Sequence, residues 1–333
     1  MKCSDIGEFG LIQRFAPRFS LPADDVRCGI GDDCAVLPLP DKRVQLITTD
    51  LLLEDRHFVR RWIAPHELGH KALAVNLSDI AAMGGTPTAA FCSLGLPSDI
   101  EVAWIDAFFD GVHALAQATD CPLLGGDTTR SQDRLVINFT VMGETTVDRV
   151  KYRSGAQVGD ILAVTGPLGD SAGGLRLLQN NHPVSGPAEK QLITAHHAPH
   201  PHLEAGRCLA ALPAVHARLD VSDGVESDVR HLMERSGVGA RIDLGQIPCS
   251  PALQAVGHTY KWSLDELALT GGEDYVLLCS IQPGAFDEVS CTLAKETENA
   301  LHAIGTVTSS GTLTYTRNGH SVKLPGHGFD HFR

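Results

Sequence analysis

Gly29-Ile30-Gly31-Asp32-Asp33-Cys34-Ala35, followed after a short linker by the apolar residues 44–47 and by Thr48-Thr49-Asp50, is the stretch from which the rest of the chain is read. Two glycines flank a turn into two adjacent carboxylates. A short apolar strand then ends in two hydroxyls and a third carboxylate. A hard divalent cation such as Mg2+ takes oxygen ligands of this kind, with substrate phosphates completing its shell. Asp-Asp pairs also occupy ordinary surface turns, so the stretch alone leaves both possibilities open. Four more aspartates, Asp79, Asp127, Asp220 and Asp223, recur downstream in similarly tight settings.

Residues 65–83 have helical spacing and are stopped by Gly84-Gly85 and Pro87. This helix carries Asn76-Leu77-Ser78-Asp79, whose Asn76 and Asp79 share one face. A solvated polar edge would look the same. Gly125-Gly126-Asp127-Thr128-Thr129 follows a short apolar strand. Glycines let a backbone approach a phosphate closely, and the aspartate can take a bridging cation; a plain connector has the same composition. Asp220-Val221-Ser222-Asp223-Gly224 precedes a helix, where capping accounts for one carboxylate but not both. Thr270-Gly271-Gly272-Glu273-Asp274-Tyr275 is a tight turn, either structural or aiming Glu273 or Asp274 into a cleft. The tract His196, His197, His200 and His202 fits a structural or surface loop better than a soft-metal site. The many carboxylates favour Mg2+ or Mn2+ over zinc.

Length and composition bound the rest. A chain of 333 residues has room for two domains. We place the boundary at residues 149 and 150, giving domains 1–149 and 150–333. Strands and helices alternate in both, the pattern of an α/β or α+β layer structure. A formal charge of −13 argues against a nucleic-acid surface. No apolar run approaches a membrane span, and residues 1–19 lack the apolar core of a signal peptide. Nine irregularly spaced cysteines without a CxxC pair point to a reducing, cytoplasmic setting. There is no GxxxxGK[ST] loop, no GxGxxG fingerprint and no protein-kinase catalytic-loop signature.

Taken together and in order, the motifs resemble the thiamine-monophosphate kinase family, within the aminoimidazole ribonucleotide synthetase-like ATPases. The matching pieces begin with the Gly-Asp-Asp turn, Thr49-Asp50 with His57-Phe58, and the helix of residues 71–84. Gly125-Gly126-Asp127-Thr128-Thr129, Arg153-Ser154-Gly155-Ala156 and Asp220-Val221-Ser222-Asp223-Gly224 follow. Gly271-Gly272-Glu273-Asp274-Tyr275 and Gly328-Phe329-Asp330-His331-Phe332 complete the set, which spans nearly the whole chain.

The resemblance implies a two-domain fold whose N-terminal domain binds ATP and Mg2+ and forms a homodimer, with an α/β C-terminal domain. It implies ATP-dependent phosphorylation of thiamine monophosphate to thiamine diphosphate, the last step in making that cofactor. It also implies roles: Asp33, Thr48, Thr49, Asp50, Asp79, Asp127, Asp220 and Asp223 hold several Mg2+ ions. Gly126, Asp127, Arg153 and Ser222 meet ATP, while His57, Glu273 and Phe329 meet thiamine monophosphate. Asp50, Asp223 and Arg153 are the expected catalytic groups.

Two departures stand out. The family pattern has a glycine in the segment before the histidine, where this chain has Glu54-Asp55-Arg56. Its proline-rich segment ends in an arginine, where this chain has His202. The alternatives are a selenophosphate synthetase-like or hydrogenase-maturation-like enzyme, or a non-catalytic nucleotide-binding assembly protein.

The acceptor that the resemblance implies fits a sequence rich in aspartates. A phosphate monoester has a second pKa near ~6 and is largely ionised at neutral pH. It needs no general base to attack ATP directly in line. The obstacle is repulsion between two polyanions, which cations and positioned donors remove.

Overall fold

The computed structural model describes residues 3–19 and 28–322; the expected contact of Phe329, and the 328–332 motif, lie outside them. After a first helix α1 (Gly7–Phe15), alternation of apolar and polar side chains builds the first sheet. Its strands are β1 (Ala35–Pro38), β2 (Arg43–Leu53), β3 (Thr86–Leu96), β4 (Leu123–Arg130) and β5 (Val136–Thr146). Their order is β1-β2-β5-β3-β4, antiparallel except for the parallel pair β3 and β4.

Thr48-Thr49-Asp50 does not follow a strand, as the sequence suggested, but lies inside β2. The alternation that buries Val44 and Leu46 continues to Leu52, and β2 pairs with β5 residue for residue to its end. Gly125-Gly126-Asp127-Thr128-Thr129 is likewise not a loop but the body of β4. Gly126 has φ +153°, and a Cβ there would lie 1.6 Å from the Cys92 carbonyl oxygen, so close pairing with β3 requires glycine at this point.

Helix α2 (Pro65–Ala82) packs on β2 and β5, with α3 (Val102–Ala118) against it. Apolar residues surround α2 instead of forming one stripe, and α2 is buried on nearly every side. Its other contacts explain this: it also packs against α6 (Leu203–Ala210) and β7 (Val215–Asp220) of the second half.

The second sheet contains β6 (Ile161–Val164), β7, β8 (Gly239–Asp243), β9 (Leu277–Ile281), β10 (His302–Thr308), β11 (Leu313–Arg317) and β12 (His320–Val322). Its order is β12-β11-β8-β10-β6-β9-β7, with only β8 and β11 parallel. Around it lie α4 (Asp170–Gln179), α5 (Pro187–His197), α7 (Val225–Ser236), α8 (Pro251–Tyr260), α9 (Leu264–Thr270) and α10 (Phe286–Glu296). Mixed α/β architecture is therefore present in both halves. One apolar core runs from β2, β5 and α2 into α6, β7 and β9, so the halves meet through packed side chains. Among the described residues, no helix is long and apolar enough to cross a membrane.

Candidate active site

The halves leave a cleft of about 1510 Å³ between them. On β2, Thr48 and Asp50 share the side of the buried Val44 and Leu46, while Thr49 alternates to the opposite face of the strand; all three border the cleft. The Thr48 hydroxyl donates a very short hydrogen bond to Asp79 Oδ2 on α2. The Asp50 backbone N–H donates to Asn76 Oδ1 at 3.0 Å, pinning β2 to α2. From the second sheet, the end of β7 presents Asp220, whose Oδ2 accepts from the Ser78 hydroxyl at 2.5 Å.

The Gly-Asp-Asp turn completes this wall. Gly31 has φ +122°, and a Cβ there would run into the guanidinium of Arg235, so only glycine lets the turn pass. One carboxylate oxygen each from Asp33, Asp79 and Asp220 lies within 4.8 Å of the other two. The three come from a turn, a helix and a strand spread over nearly 190 residues of sequence. Asp33 Oδ1 accepts from Arg153 Nε at 3.0 Å and Nη2 at 2.5 Å; its buried Oδ2 has no hydrogen-bond partner. Asp32 accepts from the Arg153 backbone N–H at 3.2 Å.

Removal from water and mutual repulsion push these carboxyls up together. Burial, then Asp223 and Asp33, raise Asp50 to about 6. Burial and Asp33 raise Asp220 to about 7. Burial, with Asp50 and Asp220 beside it, carries Asp79 well above the usual carboxylate range. Asp33 is raised by burial against the pull of Arg153. A divalent cation is the natural partner of such an oxygen-only, partly orphaned set.

Arg218 holds the two halves of the wall in register. Fully buried on β7, it donates to Ala82 O at 2.7 Å, Ala81 O at 3.1 Å and Gly206 O at 2.8 Å. It thus caps the C-terminal end of α2 two residues before Asp220. Burial brings its pKa down to about 10.

The other end of the cleft is organised by Glu273. The turn that carries it is strained, with φ +65° at Glu273 and +53° at Tyr275. It is stitched to the Asp220–Asp223 segment by Glu273 N–H to Ser222 O at 2.7 Å and Tyr275 N–H to Val221 O at 2.8 Å. Behind Glu273 stand Lys71 Nζ at 2.9 Å and His196 Nδ1 at 3.2 Å. Burial works against ionisation of Glu273, but Lys71 and His196 together hold it well below the usual range. Lys71 sat unnoticed in the helix motif, and His196 belongs to the tract read as a loop. His57 lines the same cleft, its Nδ1 accepting from the Leu53 N–H at 2.9 Å. Ser222, Asp223 and Arg153 line it too.

Both departures have structural answers. Asp55 adopts φ +65°, supplying the left-handed conformation a glycine would give. Asp55 is tied to Arg134 at 2.7 Å, and the buried Glu54 to Arg60 at 2.9 Å. His202 is a buried ring held by Thr165 at 3.1 Å and Asn299 at 2.8 Å, pushed down to about 3 by burial and His200. It does not line the cleft.

Gly126 and Asp127 are not in this cleft. Leu51, Asn138, Ser93 and Asp127 pair in one row across β2, β5, β3 and β4, so Asp127 lies on the face opposite Asp50 and three strands from β2. Among the described residues that face is exposed: all eight residues of β4 are, as are Thr49, Leu51 and Phe91. The sequence does not reveal which face an edge strand presents, so the separation of Asp127 from the other aspartates appears only in the fold.

Comparison with known proteins follows the same division. Residues 31–145 match the family model of the AIR synthase related protein, N-terminal domain, and residues 157–317 match that of its C-terminal domain. The chain is 40% identical to the thiamine-monophosphate kinase of Escherichia coli (strain K12) over 331 residues, 98% of each chain. It is 39% identical to that of Salmonella typhimurium (strain LT2) over 334 residues, again 98% of each. A solved structure described as AaThiL complexed with AMPPCP and TMP superposes with a TM-score of 0.87 at 33% identity, covering 99% of both chains.

Proposed function

Since the chain belongs to the thiamine-monophosphate kinase family of AIR synthase-related proteins, we propose that it transfers the γ-phosphoryl group of ATP directly to thiamine monophosphate, giving thiamine diphosphate and ADP. One observation carries this function: Asp33, Asp79 and Asp220 offer carboxylate oxygens within 4.8 Å of one another from both halves of the chain. The solved relative described with AMPPCP and TMP supports the same pair of ligands.

Asp33, Thr48, Asp50, Asp79, Asp220 and Asp223 would hold Mg2+ ions. When bound, these ions screen the charge of the two phosphate-bearing reactants. Arg153 compensates the acidic wall beside Asp33 and would offer a fixed positive charge to the ATP phosphates, with Ser222 lining the same cleft. Glu273, kept ionised by Lys71, would take the cationic thiamine portion, with His57 orienting the acceptor and Phe329 covering the rings. The acceptor oxygen arrives ionised, so the residues bind and align without having to remove a proton. No cysteine lines the cleft among the described residues, which gives the selenophosphate synthetase-like alternative no nucleophile there.

The division at residues 149 and 150 falls between the two sheets. The exposed face carrying Thr49, Phe91 and β4 supports a homodimer formed through the first domain. In such a dimer, Gly126, Asp127 and Thr49 would join a site completed by the second copy. The nine free thiols support a cytoplasmic setting.

The test is γ-labelled ATP incubated with thiamine monophosphate, thiamine or no acceptor. Label should appear in thiamine diphosphate and only with the monophosphate. Equal transfer to thiamine, or ADP formation indifferent to acceptor, would overturn the proposal.

A further inference from the structure

A second group of ligands lies at the start of α7. Asp223 precedes the helix, and Asp228 and His231 stand three apart on one of its faces. One donor atom from each comes within 4.8 Å of the other two, as a single ion with bonds of about 2.1 Å to each would require. All three line the cleft. Asp228 is 2% exposed and its buried Oδ2 has no hydrogen-bond partner, which is costly for a carboxylate unless something else occupies that position. The two guanidiniums nearby are engaged elsewhere: Arg153 on Asp33, and Arg235 on Gly31 O at 2.7 Å and Ile30 O at 3.3 Å.

We propose that Asp223, Asp228 and His231 form a separate divalent-cation site, and that its imidazole makes it favour a transition-metal ion such as Mn2+ over Mg2+. The set of Asp33, Asp79 and Asp220 offers oxygen alone and suits Mg2+. The α7 set offers two oxygens and a nitrogen, and imidazole nitrogen binds first-row transition ions far better than Mg2+. The inference shares Asp223 with the proposed kinase function but does not depend on turnover.

The experiment uses full-length protein without nucleotide, with Mn2+ as the probe and electron paramagnetic resonance as the readout. The free-ion signal counts bound Mn2+, and electron spin-echo modulation detects a coordinated 14N. In excess Mg2+, the Mn2+ that resists displacement should carry nitrogen modulation. His231→Gln should abolish the modulation and one bound ion. Asp228→Asn should weaken that ion by at least the roughly 10–100-fold that loss of a group merely supporting a ligand costs. Asp79→Asn, which depletes the oxygen-only set, should leave the nitrogen signal intact. Wild-type protein without 14N modulation, or an unchanged signal in His231→Gln, would overturn the inference. The wild-type measurement decides even where a variant fails to fold. Failure of phosphoryl transfer would leave every one of these readouts in place.

Discussion

The two faces of the first sheet differ although one strand serves both. On β2, Thr48 and Asp50 turn inward to α2 and the second sheet, where the chain itself supplies the other carboxylates. Thr49, between them, turns to the other face, which is exposed among the described residues and shared with Asp127 three strands away. The inner face is complete within one molecule. The outer face carries polar residues and the exposed Leu51 and Phe91. A run of three potential ligands in sequence can thus serve two different surfaces, because a strand reverses its side chains at every step.

The largest expected effect belongs to the inner face. Asp50→Asn and Asp223→Asn should each lower turnover by about 10³-fold or more, roughly 4 kcal/mol of transition-state stabilisation, with an unchanged circular dichroism spectrum. Near-normal turnover at saturating Mg2+ would remove them from the site. The outer face is tested by Phe91→Glu. Loss of an interface aromatic anchor costs about 2 kcal/mol or more, so the variant should sediment as a monomer and lose activity by about 10-fold. A wild-type chain that sediments as a monomer at full activity would erase the functional distinction between the faces.

A smaller effect comes from the far end of the cleft. Lys71→Met leaves Glu273 without its ammonium partner and should lower the melting temperature. The double variant Lys71→Met/Glu273→Gln should recover much of that loss but keep a KM for thiamine monophosphate raised by about 3–10-fold, a uniform-binding loss. Recovery of KM along with stability would make the pair purely structural.

The smallest effect is on pH dependence. In the folded protein Asp50 titrates near 6 and Asp220 near 7, against 3.8 for an ordinary aspartate. Between those values the folded chain keeps protons that the unfolded chain has released. Without divalent ions, stability should therefore fall as pH rises from about 4 to about 7. Mg2+ should raise the melting temperature more at pH 7.5 than at pH 5.5. An equal shift at both would mean that these carboxyls do not bind the ion.

Much of the inner face was legible in the sequence. Asp79 amid Ile80-Ala81-Ala82-Met83, and the pair Asp220 and Asp223 of which capping explains only one, are carboxylates whose setting in the sequence already marked them. Lys71 was not legible, because a lysine in a helix looks solvated until α2 is seen enclosed by both sheets. His196 was hidden in a histidine-rich tract whose helix α5 aims only this ring at Glu273. Asp228 and His231 sit in a helix crowded with charge, where their shared face was the one available signal. The place of Asp127 was not legible, because its neighbours in sequence say nothing of which face β4 presents. Asp55 shows the opposite case: in a segment without the family's glycine, a residue type that tolerates the left-handed region takes it.

The claim beneath the whole account is that carboxylates from both halves of the chain act on one ion. A double-mutant cycle on Mg2+ affinity between Asp79 on α2 and Asp220 on β7 measures that directly. Asp79→Asn and Asp220→Asn should each weaken binding, and the double variant should bind no more weakly than the weaker single one. Losses that simply add would mean that the two groups serve different ions, and would contradict the assembled site.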